Sequence, residues 1–284
     1  NQNEDSEVRR RAADALSEAL SLVPRMGNVW QDLLSLTQNE DQEVRLKAGD
    51  ALTEAFNQTP DKTKAWQDLL RLTQDSDSEM RCKGANVLVE AFFQIPDKSE
   101  FWEDIRSLTR NEERKVREKV VDALERDFSK APNRSQIWHD LHRLTYDEAS
   151  SVRARAIEAV GKVISLTPDK TEAWRDLHRL AQDENSYVRR RASIALGKSF
   201  EYVPDKTEAW RDLIKLTEDE HICVRQDAAE ILGAVFSHIP NKTEAWQDLF
   251  KLILDEDGDL REKAADALRN AFTQIPDKAR AWQD

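Results

Sequence analysis

Pro168-Asp169-Lys170-Thr171-Glu172-Ala173-Trp174-Arg175-Asp176-Leu177 decides the fold, because the chain repeats it at a fixed distance. Thirty-six residues on stands Pro204-Asp205-Lys206-Thr207-Glu208-Ala209-Trp210-Arg211-Asp212-Leu213, and the same step again reaches Pro240 and Trp246. All eight tryptophans keep this period of 36: Trp30, Trp66, Trp102, Trp138, Trp174, Trp210, Trp246 and Trp282. All eight prolines keep it six residues earlier, from Pro24 to Pro276, without one insertion or deletion. Self-similarity at a fixed period of this length is the mark of a solenoid.

The unit reads as two helices. Its proline cannot continue the preceding helix and so separates one element from the next. Asp169 with Glu172 has capping-box spacing, repeated at Asp205/Glu208 and Asp97/Glu100, with Thr171 or Thr207 as a rival cap. Trp174, Leu177 and Leu180 then share one face of a short first helix. After the polar turn Gln182-Asp183-Glu184-Asn185-Ser186, a longer second helix carries an apolar stripe of Val188, Ala192, Ala195, Leu196, Phe200 and Val203. Gly161, Gly197 and Gly233 occupy one shared position of that helix. Glycine weakens a helix, so close packing or a bend is the reason to expect it there. One helix pair cannot bury this stripe and a stack of them can. The expected fold is all-α, an α-solenoid of stacked helix hairpins.

Within each unit an acidic residue, then valine-arginine, then an alanine-rich helix follow in order, as in Asp183, Val188-Arg189, Ala192 and Ala195-Leu196-Gly197. The six-residue step from acid to arginine recurs at Asp75/Arg81, Asp147/Arg153, Asp219/Arg225 and Asp255/Arg261, with Asn39 and Asn111 in the acid's place elsewhere. This pattern resembles the HEAT and HEAT-like repeat, including the type found in bilin lyases (PBS-lyase-type HEAT), over essentially the whole chain. The resemblance implies a solenoid of HEAT-like hairpins. Two features depart from it: the period is shorter than usual, and Pro-Asp-Lys-Thr-x-Ala-Trp looks like a tetratricopeptide junction. The tetratricopeptide pattern, however, lacks the valine-arginine pair. Residues 1–284 read as a single repeat array. It opens at a turn before a second helix, at Val8-Arg9, and stops at Trp282-Gln283-Asp284 inside a first helix. Solenoids normally carry polar capping repeats, so a segment of a longer protein is expected.

Composition narrows the partners. The 43 Lys+Arg against 55 Asp+Glu give a net charge of -12, which opposes non-specific binding to nucleic acid. No stretch approaches the roughly 20 apolar residues of a membrane helix, and Asn1-Gln2-Asn3-Glu4-Asp5 lacks the features of a signal peptide. Cys82 and Cys223 stand about four repeats apart, too far for a disulfide. Free thiols point to a reducing compartment, and a cytoplasmic location is expected.

Candidate chemistry is sparse. The aspartate two residues after each tryptophan, from Asp32 to Asp284, and the arginine column from Arg9 to Arg261 recur in every unit. A catalytic site is needed once and these occur at every layer, so the expectation is a ladder of Asp–Arg hydrogen bonds between layers. His142 and His178 hold equivalent positions, but two imidazoles alone make a weak metal site. Some HEAT-like enzymes bind iron through His-Glu pairs, and no histidine here is followed by Glu. With no nucleophile elbow, phosphate loop or cysteine cluster, no enzyme activity, cofactor or metal is expected.

What distinguishes one unit from another is the solvent face of the second helix. Glu7/Arg11, Glu43/Lys47 and Glu79/Lys83 are ordinary pairs four apart. The unit of Trp174 differs: Tyr187, Arg190, Arg191, Ile194 and Lys198 share a ridge, with Ile194 where the flanking units have Glu158 and Glu230. Ile222 and Cys223 extend the ridge on one side, and Arg155 and Lys162 flank it on the other. Between residues 151 and 200 there are ten Lys/Arg against six Asp/Glu. A basic patch with exposed Tyr and Ile fits an acidic protein partner; drift on a duplicated surface fits the same pattern. The expected function is a non-enzymatic protein-binding module or scaffold. The alternative is a nucleic-acid-binding solenoid whose Arg155, Lys162, Arg190, Arg191 and Lys198 track phosphates.

Overall fold

The computed structural model describes residues 29–275 together with Val8 and Arg11. Arg9, Pro24, Pro276, Trp282 and Asp284 lie outside the described residues. Fourteen α-helices and four short 3-10 turns make up the described secondary structure, with no strand among the described residues. The chain divides into two compact units, Asn1–Leu124 and Glu125–Asp284.

The first unit contains α1 (Val29–Leu36), α2 (Gln42–Gln58), α3 (Lys62–Leu72), α4 (Ser78–Gln94), α5 (Trp102–Ser107) and most of α6 (Arg114–Arg126). The second contains α7 (Arg134–Leu144), α8 (Ser150–Val163), α9 (Lys170–Leu180), α10 (Ser186–Ser199), α11 (Lys206–Leu216), α12 (Ile222–Val235), α13 (Lys242–Leu252) and α14 (Gly258–Phe272). Within each unit a first helix packs on its own second helix, as α3 on α4 and α11 on α12. Second helices then pack on second helices: α2 on α4 in the first unit, and α8 on α10, α10 on α12 and α12 on α14 in the second. The fold is the expected α-solenoid of stacked hairpins.

In several hairpins the tryptophan closes on a phenylalanine of the second helix. Trp30 meets Phe56, Trp66 meets Phe92, and Trp210 meets Phe236, tilted or edge-on with ring centroids 6.2–6.3 Å apart. Trp66, Phe56, Phe92, Trp138, Phe200 and Phe236 are fully buried. Such rings bury much apolar area each and gain from edge-to-face geometry.

Junction chemistry follows the sequence with two corrections. Asp169 Oδ1 accepts from Thr171 N and Glu172 N, both at 2.9 Å, and Asp205 does the same for Thr207 and Glu208. The aspartate is therefore the cap and the threonine is not. The reciprocal half of the box is replaced, because the Glu172 carboxylate takes the Trp138 indole N–H at 2.7 Å. The second correction concerns Asp97, which caps no helix: it accepts from Ser99 N and Oγ, and α5 begins only at Trp102. Phe101, where Ala65, Ala173, Ala209 and Ala245 stand in other units, is buried with its ring 4.6 Å from Trp66, and the chain makes a turn there instead of entering a helix. The junction lysine has a role the sequence did not suggest. Lys62 and Lys242 reach back over Phe56 and Phe236 and donate to carbonyls at the end of the preceding second helix, groups that a helix leaves open.

The expected reason for the glycines holds. A Cβ on Gly161 would stand 2.7 Å from the Ala195 Cβ, and one on Gly233 would stand 2.7 Å from the Ala267 Cβ. The second helices touch at these points, and only hydrogen fits.

Candidate protein-binding face

Two inter-layer ladders set the register, and they differ from the single Asp–Arg ladder expected. Each column arginine first clamps its own turn: NH1 of Arg153 donates to Asp147 O at 2.9 Å and Glu148 O at 3.1 Å, as Arg45, Arg81, Arg117, Arg189, Arg225 and Arg261 do in their turns. The rest of the guanidinium reaches the turn acid of the next layer. Arg153 grips Asp183 through two bonds of 2.8 and 2.9 Å, Arg189 grips Asp219, Arg225 grips Asp257, and in the first unit Arg45 grips Asp77 and Arg81 grips Glu113. Fixed by its own turn, the arginine does not reach the aspartate on the first helix. That aspartate accepts an indole N–H from the layer before it: Trp30 to Asp68 at 3.0 Å, Trp66 to Asp104 at 2.7 Å and Trp210 to Asp248 at 3.1 Å.

Histidine takes over this second ladder in two layers. His142 Nδ1 lies 2.6 Å from Asp176, and His178 Nδ1 lies 2.7 Å from Asp212. Asp176 is almost wholly buried and also accepts from Thr145 Oγ1 and Arg179. Burial pushes the Asp212 carboxyl up, against the pull of His178. Each imidazole thus serves its own rung. Among the described residues, no group of three or more His, Cys, Asp or Glu is placed to hold a metal.

The ridge residues lie on α8, α10 and α12, and the structure sorts them. Tyr187 (46% exposed), Ile222 (43% exposed), Cys223, Arg155, Lys162 and Lys198 face solvent, while Arg190, Arg191 and Ile194 are half-buried. Their charges are less available than composition suggested. Lys162 bridges Glu125 at 2.8 Å and Glu158 at 3.3 Å; burial opposes its charge, but these carboxylates hold the ammonium above its usual value. Arg191 sits 3.5 Å from Glu158 and also donates to the Tyr187 hydroxyl at 2.9 Å. Arg190 pairs with Asp227 at 2.6 Å, which holds its proton more firmly. The excess of positive charge in residues 151–200 is largely absorbed by acids of adjoining layers.

The Glu158–Arg191 pair follows a rule that sequence alone did not expose. An acid late on one second helix meets a base early on the next: Asp50 with Lys83 in the first unit, Glu158 with Arg191 and Glu230 with Lys263 (2.8 Å) in the second. Between α10 and α12 both members are changed. Ile194 stands at the acid's place and Asp227 at the base's, so this rung is absent. An open groove of about 440 Å³ lies there, lined by Arg190, Ile194, Gly197, Lys198, Asp227, Glu230, Ile231 and Ala234.

No family model and no curated protein matches the sequence. Solved structures do match. A chain in the structure of Kap95p with RanGDP superposes with a TM-score of 0.64 at 14% identity, over 94% of this chain and 38% of that one. Cex1p gives 0.63 at 14% identity, over 88% of this chain and 54% of its own. The chain therefore spans about two-fifths to a half of these neighbours. At such identity the likeness carries the fold, a helical-repeat solenoid. Among the described residues no helix is long and apolar enough to cross a membrane.

Proposed function

We propose that this chain is a HEAT-type array, a single run of repeats within a longer protein, and that it works as a non-enzymatic scaffold whose second-helix face binds another protein. The observation that carries this reading is the face of α10 and α12. Every layer invests its constant residues in register, whereas here Tyr187 and Ile222 stand out in solvent beside an open apolar groove. Exposed aromatic and aliphatic side chains with arginine nearby are the usual anchors of an interface. The neighbouring fold supports it by analogy, since the Kap95p structure is described as a complex with RanGDP.

Nucleic-acid binding has less support. Of the five cations proposed to track phosphate, Lys162, Arg190 and Arg191 already pair with carboxylates, and the chain carries a net charge of -12. The test is capture from lysate of the source cells by the chain and by a Tyr187→Ala/Ile222→Ser variant, with bound proteins identified by mass spectrometry. Both changes are at exposed positions, so the variant should fold. A protein retained by the parent and lost by the variant supports the face; equal recovery, or recovery of nucleic acid alone, rejects it.

A further inference from the structure

We infer that the groove between α10 and α12 is a docking slot for a partner peptide carrying an aliphatic side chain beside a carboxylate. The inference rests on the reading of this face as the binding face and narrows it to one place and one chemistry.

Three features carry it. The first is the missing rung. In the layers on either side an acid and a base close the seam between second helices, through Glu158–Arg191 and Glu230–Lys263. Here Ile194 and Asp227 cannot form that bridge, and Asp227 turns to Arg190 on the other side. The seam is left open and apolar at its floor. The second is the shape of that floor. Gly197 has no side chain, and a Cβ there would stand 2.6 Å from Ile231 Cγ2. Ile231 fills the space, so Ile194, Ile231 and Ala234 line a slot for an aliphatic group.

The third is charge. Two acids line the groove, and both are already neutralised: Asp227 by Arg190 at 2.6 Å and Glu230 by Lys263 at 2.8 Å. Lys198 is exposed on the rim and has no carboxylate partner in the described structure. An entering carboxylate completes that pair. An entering base would meet Lys198 and Arg190 with no free acid to receive it. Charge sets preference and encounter rate, and burial of the aliphatic group supplies affinity.

The experiment is selection of a random dodecapeptide display library on the whole chain, then synthesis of the most enriched peptide with a fluorescein label for anisotropy titration. The expected consensus places an aliphatic residue within a few positions of Asp or Glu. An Ile194→Glu/Asp227→Lys variant rewrites the seam in the pattern of its neighbours, so it closes the groove while keeping a packing the fold already uses. It should bind the peptide at least tenfold more weakly, with an unchanged circular dichroism spectrum. Lys198→Glu should weaken binding several-fold and be rescued by a peptide in which Lys replaces the acid.

A basic consensus, no enrichment, or equal binding by the seam variant overturns the slot. So does self-association of the chain that the seam variant abolishes, since the occupant is then a second copy. Peptides that the seam variant retains but Tyr187→Ala/Ile222→Ser loses also overturn the slot, while leaving the binding face standing.

Discussion

Replacing Arg153 by methionine tests how these layers are joined. The change keeps the aliphatic stem and deletes four hydrogen bonds: two to Asp183 at 2.8 and 2.9 Å, and two to the turn carbonyls of Asp147 and Glu148. Both partners are well shielded, with side-chain exposures of 11% for Arg153 and 8% for Asp183. Exposed ion pairs contribute no more than about 1 kcal/mol, whereas removing one member of a buried pair costs about 3–5 kcal/mol. Asp183 keeps the Asn185 N–H at 2.9 Å, which softens the loss. The expected cost of Arg153→Met is therefore about 3 kcal/mol. With a urea m-value of about 3 kcal/mol/M, the midpoint falls by about 1 M. Asp183→Leu should cost a comparable amount, and the double variant less than the two single losses added together, because no unpaired charge remains. Urea unfolding followed by circular dichroism reads all three. A loss below about 0.5 kcal/mol, or strict additivity in the double variant, would refute a buried coupled joint and leave the arginine column as surface decoration.

Acid should weaken the fold through the same joints. The Arg45 and Arg225 hydrogen bonds hold Asp77 and Asp257 below the usual carboxylate range, and at Asp219 burial pushes up but Arg189 and the His221 N–H outweigh it. A depressed folded pKa gives stability that is full above the unfolded value, about 4, and is lost as pH falls through the folded one. Urea midpoints should thus drop as pH falls below about 4; a steady midpoint down to about pH 3 would contradict it. His142→Leu places the residue found at Leu34 and Leu70 but removes the 2.6 Å bond to buried Asp176, and should cost about 1–3 kcal/mol in the same assay. Gly233→Val should cost about 1–3 kcal/mol, because its Cβ meets Ala267 Cβ and Cα at 2.7 and 2.8 Å; a stabilised variant would show that helix propensity prevails. Alkylation followed by mass spectrometry should label exposed Cys223 well before Cys82, which is half-buried and whose thiol burial pushes up.

The hairpins were legible because each depends on local, repeated signals: proline at the junction, tryptophan and leucine at helical spacing, alanine and glycine where second helices meet. The inter-layer bonds were legible only as a need. The arginine column and the aspartate column were both visible, and pairing them was natural, yet they belong to separate ladders. What decided the matter was NH1 of each arginine settling on its own turn, a backbone contact that no spacing of side chains announces. The proposed binding face was half-readable. Ile194 stood out against Glu158 and Glu230, but Asp227, its counterpart in the missing rung, is one acid among many in an acidic chain. Only the step from late on one second helix to early on the next makes the two a pair. The same step explains why the basic excess of residues 151–200 overstated the available charge.

The ladders also give the chain a splicing rule. For Trp30, Trp66 and Trp210 the acceptor lies 38 residues on, one period plus two. Arginine likewise finds its acid 30 or 32 residues on, one period less a few. An excision or insertion of 36 residues, cut at the same point of the unit on both sides, therefore returns every such donor to an acceptor of the same kind. A cut of 35 or 37 puts the bonds that cross the junction out of step. Length in such a molecule is free to change in whole layers, and a binding slot can be carried to a new address without redesign of the joints around it.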